Sequence, residues 1–228
     1  PKTYLLDPSD TENLREIFDG RKYIAKPGDL ACREGIFITD NYEDMCKRVK
    51  DTIYEDWIIQ EFVEDPLLYE GKKFHIRPYV FLVKRNSSFD VYVYNEFQMY
   101  FSGVKYDTNN SESLLSHGGR EYDKRIFPKD FQDYYGDENI AYVYEQIHKI
   151  VDETTKPLFS VISKKKGDAY KLIAYDILID KDYKCYLAEV NRKHIGMDYH
   201  GESFNRLLYE QLLNTFFFPR RKNNRVHF

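Results

Sequence analysis

The stretch KLIAYDILIDKDYKCYLAEVN, residues 171–191, predicts a hairpin of two β-strands. Its two halves, Lys171–Asp180 and Lys184–Asn191, are rich in apolar and β-forming residues, and the polar residues between them are typical of a tight turn. Strands joined by so short a turn run antiparallel. With helices also predicted elsewhere in the chain, antiparallel hairpins favour an α+β fold over a parallel α/β fold.

Each strand of this hairpin has one acidic residue in otherwise apolar sequence, Asp176 in the first and Glu189 in the second. Because strand side chains alternate between faces, Glu189 and Asn191 share a face. Asp176 joins them if it lies opposite Glu189 or nearly so, whereas a slip of one residue would put it on the other face. Two neighbouring carboxylates need a shared proton, a basic partner or a divalent cation, and oxygen ligands of this kind suit Mg²⁺. The alternative is that either acid lies at a solvated strand end.

A second hairpin is predicted upstream, with strands Lys73–Lys84 and Phe89–Tyr94 joined by the polar residues 85–88, and Phe97–Val104 is predicted as a further strand. Lys73, His75 and Arg77 alternate with apolar residues, so one face of the first strand is polar at this end. The simplest interpretation of a polar face is exposure to solvent.

The remaining elements complete a mixed α+β chain. The predicted strands are Lys22–Lys26, Gly35–Thr39 and Trp57–Val63, and the predicted helices are Asp10–Phe18, Tyr42–Ile53, Asn139–Thr155 and Glu202–Phe218. The stretch Tyr106–Tyr135 has no clear period and many turn formers, and is predicted to be irregular.

Lys26 ends one of these strands and begins a loop that contains Gly28 and ends before Gly35. A lysine followed by backbone amides in a tight loop is a reasonable phosphate-binding arrangement. A lysine at a strand end is also commonly a surface residue, so this pattern alone leaves both interpretations open.

Composition excludes several classes of protein. With 228 residues and a net charge of −4, the chain has no overall positive field for nucleic acid, and it has no apolar run long enough to cross a bilayer and no signal-peptide pattern. Its three cysteines, Cys32, Cys46 and Cys185, predict neither a disulfide framework nor a zinc cluster and favour a reducing intracellular compartment. Basic runs at residues 164–166 and 220–222 are either solvated charges or a docking surface for an acidic partner.

Four blocks, in chain order, resemble the tubulin-tyrosine-ligase-like family across nearly the whole chain. The blocks are Tyr23-Ile24-Ala25-Lys26-Pro27 with Glu34-Gly35-Ile36; Ile59-Gln60-Glu61-Phe62-Val63; Pro66-Leu67-Leu68-Tyr69-Glu70-Gly71-Lys72-Lys73-Phe74-His75-Ile76-Arg77; and Tyr175-Asp176 with Glu189-Val190-Asn191. Each block alone is a modest match, but four at plausible separations make a specific one.

The resemblance implies an ATP-grasp fold, in which two α+β lobes with mostly antiparallel sheets clamp a nucleotide. Residues 1–64 would form part of the central lobe and residues 65–228 the C-terminal lobe with the metal site. By the same resemblance, Lys26 and Lys73 contact phosphates and Arg77 helps bind the reacting carboxylate. The segment that reads the adenine would be Gln60, Glu61, Phe62 and Val63. The residues that hold Mg²⁺ beside ATP would be Asp176, Glu189 and Asn191.

The implied activity is ATP-dependent ligation of an amino acid, such as glutamate, glycine or tyrosine, to a protein through an acyl phosphate. The family's usual acceptor is tubulin, which implies a cytoplasmic protein associated with the cytoskeleton. The alternative is an ATP-grasp relic that binds nucleotide, or acts as a scaffold, without catalysis.

Four positions depart from the family pattern, and three of them fall on the substrate side. His75 stands where the family usually has aspartate, Arg33 where it has glycine, and Tyr100 where it commonly has an arginine that serves the incoming amino acid. The family's leucine-threonine-asparagine motif is present only as Leu115-Ser116-His117. Arg120 or Arg125 could supply the missing charge. Family members also have a further N-terminal lobe, so the chain is predicted to be either a fragment or a protein that lacks that lobe.

Overall fold

The computed structural model describes residues 1–9, 11–28, 34–86, 88–116, 128–162, 164, 166–192 and 202–217. The chain divides into two units, Pro1–Asp65 and Pro66–Phe228. No helix in the described ranges is both long and apolar enough to cross a membrane.

The first unit is a four-stranded antiparallel sheet with one helix packed on it. Its strands are β1 (Thr3–Leu6), β2 (Tyr23–Pro27), β3 (Phe37–Thr39) and β4 (Trp57–Glu61), in the order β1-β4-β2-β3. Helix α1 (Tyr42–Lys50) begins at Asn41, whose side chain accepts the N–H of Asp44. Met45 and Val49 of this helix pack on Trp57 and Ile59 in the core of this unit. The predicted helix Asp10–Phe18 was wrong, because the described residues of that stretch form a single 3₁₀ turn, Glu12–Leu14.

The second unit is built on a five-stranded antiparallel sheet. Its strands are β5 (Leu68–Tyr69), β6 (Lys72–Arg85), β7 (Ser88–Phe101), β8 (Ala169–Ile179) and β9 (Cys185–Asn191). Strand β6 is central, with β7 paired along one edge and β8 along the other, and β9 pairs with the outer edge of β8. Both predicted hairpins are confirmed. The two strands predicted within residues 89–104 are one continuous strand, β7.

Helices cover both faces of this sheet. They are α2 (Ser111–Leu114), α3 (Pro128–Tyr135), α4 (Asp137–Ile162) and α5 (Glu202–Leu212), the last followed by a π-helical turn, Leu213–Phe217. The predicted irregular stretch Tyr106–Tyr135 therefore contains two short helices. The α+β class with antiparallel sheets is confirmed.

The two faces of β6 differ in what packs on them. Ile76 and its alternate neighbours join the main core with α4. On the opposite face, Tyr79, Phe81 and Val83 pack in a second core with Leu208 of α5. The N-terminal part of that second face carries Lys73, His75 and Arg77 instead, so a polar area adjoins an apolar core on one side of the sheet.

Candidate functional site

Lys73, His75 and Arg77 are buried, with exposed fractions of only 2%, 7% and 7%. The expectation of a solvent-exposed polar face was therefore wrong. The physical reason is that β6 is the central strand, so that Asp176 on β8 and the large side chain of Tyr100 on β7 flank these residues. Burial of three basic or titratable side chains requires partners, because an unpaired charge in a dry environment is costly.

Arg77 and Asp176 form a two-pronged ion pair across neighbouring strands. Arg77 Nε donates to Asp176 Oδ1 at 2.6 Å and Nη2 donates to Oδ2 at 2.7 Å. Burial alone would raise the pKa of Asp176, but the nearby His75 and the Arg77 fork outweigh burial and lower that pKa below its usual value. Burial acts to lower the pKa of Arg77, and its hydrogen bonds to Asp176 outweigh this and raise it. Both groups are therefore held in their charged forms.

Asp176 also meets the two other residues predicted to hold a metal. Asp176 and Glu189 are direct cross-strand partners, so the register that the prediction required is confirmed, and a bulge follows immediately at Ile177. Asn191 Nδ2 donates to Asp176 Oδ2 at 3.1 Å. Glu189 is exposed, whereas Asp176 is 8% exposed.

The donor set on these strands consists of oxygen ligands, which fit Mg²⁺ in type. In the part of the chain that the structure describes, no three His, Cys, Asp or Glu side chains are grouped so as to hold a metal. The predicted triad has only two acids, its third member being an amide. Arg77 offsets the charge of Asp176, and Glu189 is the more exposed of the two acids.

A network of rings and hydroxyls extends from Arg77 along β7. The Arg77 guanidinium lies 4.5 Å from the centre of the Tyr100 ring and Nη1 donates to the Tyr100 hydroxyl at 3.4 Å. The imidazole of His75 stacks on Tyr100, with ring centres 5.0 Å apart and planes 4° from parallel. Gln98 Oε1 accepts hydrogen bonds from the hydroxyls of Tyr100 and Tyr79, at 2.8 Å and 2.9 Å.

His75 links this network to α2 and to the ion pair. Its Nδ1 is 2.8 Å from the hydroxyl of Ser116, just after α2, and its Nε2 is 3.8 Å from Asp176 Oδ1. The network thus connects β6, β7 and β8 at one end of the sheet.

Gln98 and Tyr79 were not among the predicted site residues. One signal for Gln98 was present in the sequence, because Gln98 and Tyr100 alternate with apolar residues in Phe97–Phe101 and so share a strand face.

In the first unit, Lys26 and Gln60 are in contact. Lys26 Nζ donates to Gln60 Oε1 at 3.0 Å, and Gln60 Nε2 donates to the hydroxyl of Thr3 at 2.9 Å. Gln60 is buried and Lys26 is half-buried, on the sheet face opposite Ala25 and Ile59.

The neighbouring segment is already bound to other parts of the first unit. Glu61 pairs with Arg21 at 2.8 Å, and its backbone N–H donates to the carbonyl of Lys2. The N–H of Phe62 donates to the carbonyl of Lys22. Of the four residues predicted to bind the adenine, Gln60 and Val63 are buried, and Glu61 and Phe62 are half-buried.

Several predicted residues lie outside the described residues: Arg33 and the central part of the loop after Lys26, His117, Arg120 and Arg125. Gly35, at the end of that loop, has φ of 73°, and a Cβ there would come within 2.7 Å of the Pro27 ring. Glycine is therefore required at this position by both backbone and packing.

Comparison with known proteins gives one family. The model of the tubulin-tyrosine ligase family matches residues 1–220. Tubulin glycylase 3C of Tetrahymena thermophila is 24% identical over 207 residues, covering 82% of this chain and 19% of the glycylase. The probable tubulin polyglutamylase TTLL2 of Homo sapiens is 26% identical, covering 84% and 36%. Tubulin polyglutamylase TTLL6 of Mus musculus is 30% identical, covering 84% and 26%. The chain thus spans well under two thirds of the length of each of these relatives.

Proposed function

The chain belongs to the tubulin-tyrosine ligase family, and from this we propose that it forms the ATP-dependent catalytic part of a ligase that joins an amino acid to a protein. The observation that carries the proposal is the buried polar end of β6, where Arg77 grips Asp176 and Asp176 faces Glu189 and Asn191 across the strands. So many charged and polar groups on a buried sheet face are costly for stability alone, and they are typical of a site that handles charged substrates.

The proposed reaction has two steps. A carboxylate oxygen attacks the γ-phosphorus of ATP, the bond from that phosphorus to the bridging oxygen breaks, and ADP leaves. The amine then attacks the carbonyl carbon of the acyl phosphate, inorganic phosphate leaves, and the amine loses a proton to form the amide. The protein's part is to align the reactants, neutralise phosphate charge and keep water from the acyl phosphate.

We assign the roles residue by residue. Lys26 and Lys73 contact phosphate oxygens, and the segment Gln60–Val63 binds the adenine. Arg77 acts at the reacting carboxylate while it holds Asp176. These roles rest on the family's motifs at the matching positions.

Asp176, Glu189 and Asn191 are the proposed ligands of Mg²⁺, which their oxygen donors fit. When bound, the ion would offset negative charge on phosphate oxygens as the γ-phosphoryl group transfers. The part of this chain's residues is to hold the oxygens in register: β8 and β9 pair Asp176 with Glu189, and Asn191 binds Asp176 directly.

The proposed acceptor is tubulin and the proposed co-substrate is a free amino acid, glutamate or glycine, because the relatives named above are tubulin polyglutamylases and a tubulin glycylase. This activity would locate the protein at the cytoskeleton in the cytoplasm.

A second candidate is a family member that binds nucleotide without ligation. Two observations favour it. Both oxygens of Asp176 accept hydrogen bonds from Arg77, and Tyr100 stands at the position where an arginine was expected for the incoming amino acid. Tyrosine cannot reproduce the two-pronged grip of arginine on a carboxylate.

The test is ADP release by the chain, in the longest soluble form of the protein that contains it, with ATP, Mg²⁺, tubulin and glutamate or glycine. The ligase predicts ADP release that depends on both amino acid and tubulin, with a matching mass increase of tubulin. Glu189→Gln should abolish it, because the variant removes one of the two carboxylates among the proposed Mg²⁺ ligands. The matched control is Glu145→Gln, an exposed position on α4. Binding of ATP with no release of ADP would support the second candidate and overturn the ligase.

A further inference from the structure

Gln98 has a buried hydrogen-bond donor without an acceptor. The residue is 8% exposed and lies opposite Arg77 on β7. Its Oε1 accepts both tyrosine hydroxyls, at 2.8 Å and 2.9 Å. Its Nε2 is fully buried and has no hydrogen-bond partner among the described residues.

The orientation of this amide follows from its neighbours. The Tyr100 hydroxyl accepts from Arg77 Nη1, and it gives its own proton to Gln98 Oε1. Oε1 is therefore the atom on the tyrosine side, and Nε2 is the atom left over. A buried donor without a partner costs about 1–3 kcal/mol. Such groups are rare in native proteins and point to a ligand or a bound water.

The surroundings limit what that ligand is. Nη1 of Arg77 donates to the Tyr100 hydroxyl, and that hydroxyl donates to Oε1 of the Gln98 amide. Nη1 of Arg77 and Nε2 of Gln98 are both donors, so the site suits an oxygen acceptor. The charge of Arg77 is already offset by Asp176, so this pair as a whole is neutral. A neutral pair accepts a singly charged carboxylate more readily than a phosphate dianion.

We propose that Gln98 Nε2 donates a hydrogen bond to a substrate carboxylate oxygen, with Arg77 on its other side. Gln98 would then determine substrate specificity, supplying by a neutral amide part of the grip that tyrosine at position 100 cannot give. The proposal rests on the proposed ligase function. Two substrates have such a carboxylate, the free amino acid and an acidic side chain of the acceptor.

The test measures binding without turnover, by calorimetric titration of the whole chain with the non-hydrolysable analogue AMP-PNP and Mg²⁺ present. The ligands are free glutamate, free glycine and a glutamate-containing peptide with blocked ends. Gln98→Glu keeps an acceptor for both tyrosine hydroxyls but replaces the donor with a carboxylate. Binding of the true carboxylate ligand should weaken by at least about tenfold, the scale of one hydrogen bond to a charged group. Weakening for the free amino acids alone assigns Gln98 to the co-substrate, and weakening for the peptide alone assigns it to the acceptor.

Gln132→Glu is the matched control. It makes the same chemical change at an exposed position on α3 of the same unit, and binding of all three ligands should be unchanged. Equal binding by wild type and Gln98→Glu would overturn the proposal and indicate a purely structural residue.

A measurement on the unmutated protein covers the case in which Gln98→Glu does not fold. The side-chain ¹⁵NH₂ resonances of Gln98 should shift on titration with the carboxylate ligand, while those of Gln132 should not. Absence of a shift at saturating ligand, or absence of any carboxylate binding by wild type, would overturn the inference. Gln98-dependent binding without ADP release would leave the inference standing and overturn the ligase instead. ADP release, together with carboxylate binding that does not depend on Gln98, would leave the ligase standing and overturn the inference about Gln98.

Discussion

Removing one partner of the Arg77–Asp176 pair should destabilise the protein far more than removing an exposed ion pair. Arg77 and Asp176 are 7% and 8% exposed and share two short hydrogen bonds, at 2.6 Å and 2.7 Å. Opposite charges about 4 Å apart attract by about 4 kcal/mol at an effective dielectric of about 20. Loss of either partner also leaves a buried, uncompensated charge, so breaking such a pair costs about 3–5 kcal/mol.

The experiment is a double-mutant cycle of Arg77→Met, Asp176→Asn and the combined variant. Urea unfolding is followed by far-ultraviolet circular dichroism, and the emission of Trp57, the one tryptophan of the chain, reports on the first unit separately. Each single variant should lose about 3–5 kcal/mol of unfolding free energy. The combined variant should lose clearly less than the sum, because it leaves no buried charge behind.

Arg206→Met is the matched control, because its partner Glu210 is 2.8 Å away but the two side chains are 75% and 51% exposed. It should cost less than about 1 kcal/mol. If Arg77→Met costs no more than Arg206→Met, the reasoning that Arg77 and Asp176 form a dry, mutually dependent pair is refuted.

Other expected outcomes concern single side chains away from this pair. Burial, with a smaller contribution from Asp180, raises the pKa of the Cys185 thiol from 9.0 to about 12. The stability that the fold gains from the protonated thiol is therefore fully present below pH 9.0 and is lost as the pH rises towards 12. At mildly alkaline pH, iodoacetamide should therefore label Cys185 much more slowly than half-buried Cys46. Peptide mass spectrometry measures both rates, and equal rates would contradict the raised pKa of the Cys185 thiol. Gln146→Ala removes hydrogen bonds to Tyr183 in the β8–β9 turn and to Cys185 at the start of β9. The substitution should cost about 1–3 kcal/mol and speed amide exchange in β9, whereas unchanged exchange would show that the turn holds without it. Asn41→Ala removes the cap of α1 and should cost about 1 kcal/mol, measured from the emission of Trp57 during urea unfolding, with no loss expected from the exposed substitution Lys50→Ala.

The strands of the second unit could be predicted because alternation of apolar and polar residues is a local signal. The break predicted near residue 95 shows the limit of that signal. Pro78 pairs with Phe97 and Val80 with Val93, so residues 94–96 together lie opposite Tyr79. The short polar stretch that resembled a strand end is thus a bulge inside one long strand. Only the pairing with the neighbouring strand distinguishes a bulge from a strand end.

The helices depend more on tertiary contacts than these strands do. The predicted helix Asp10–Phe18 has few apolar positions to bury, and among the described residues of that stretch Thr11 and Leu14 are buried. Helix α3 had no clear period, yet Phe131 is fully buried against Phe74 and Phe97. Packing of the Phe131 ring stabilises this helix, and the sequence pattern alone does not predict that contact.

In the site, the spacing of residues predicted that Asp176 and Glu189 meet within one hairpin. It did not predict that Arg77, from the other hairpin, pairs with Asp176. Asp176 and Glu189 are joined by a turn, so their register was limited to a few choices. Arg77 and Asp176 are 99 residues apart, and they meet only because β6 and β8 are neighbours in the sheet. Strand order is a property of the whole fold, so the basic partner of Asp176 could not be distinguished in advance from a metal.

A basic partner and a metal are in fact compatible at Asp176. A carboxylate offers about four lone-pair sites, and Asp176 accepts three hydrogen bonds, two from Arg77 and one from Asn191. The fork therefore restricts Asp176 to a single further contact and offsets its charge, while Glu189 is exposed to solvent. Mg²⁺ commonly uses one or two carboxylates and fills its shell with water and phosphate, so a site with one exposed and one restrained acid meets its needs. It follows that Glu189→Gln should weaken Mg²⁺-dependent ATP binding more than Asn191→Leu does, and the reverse order in a Mg²⁺ titration would refute this division of roles.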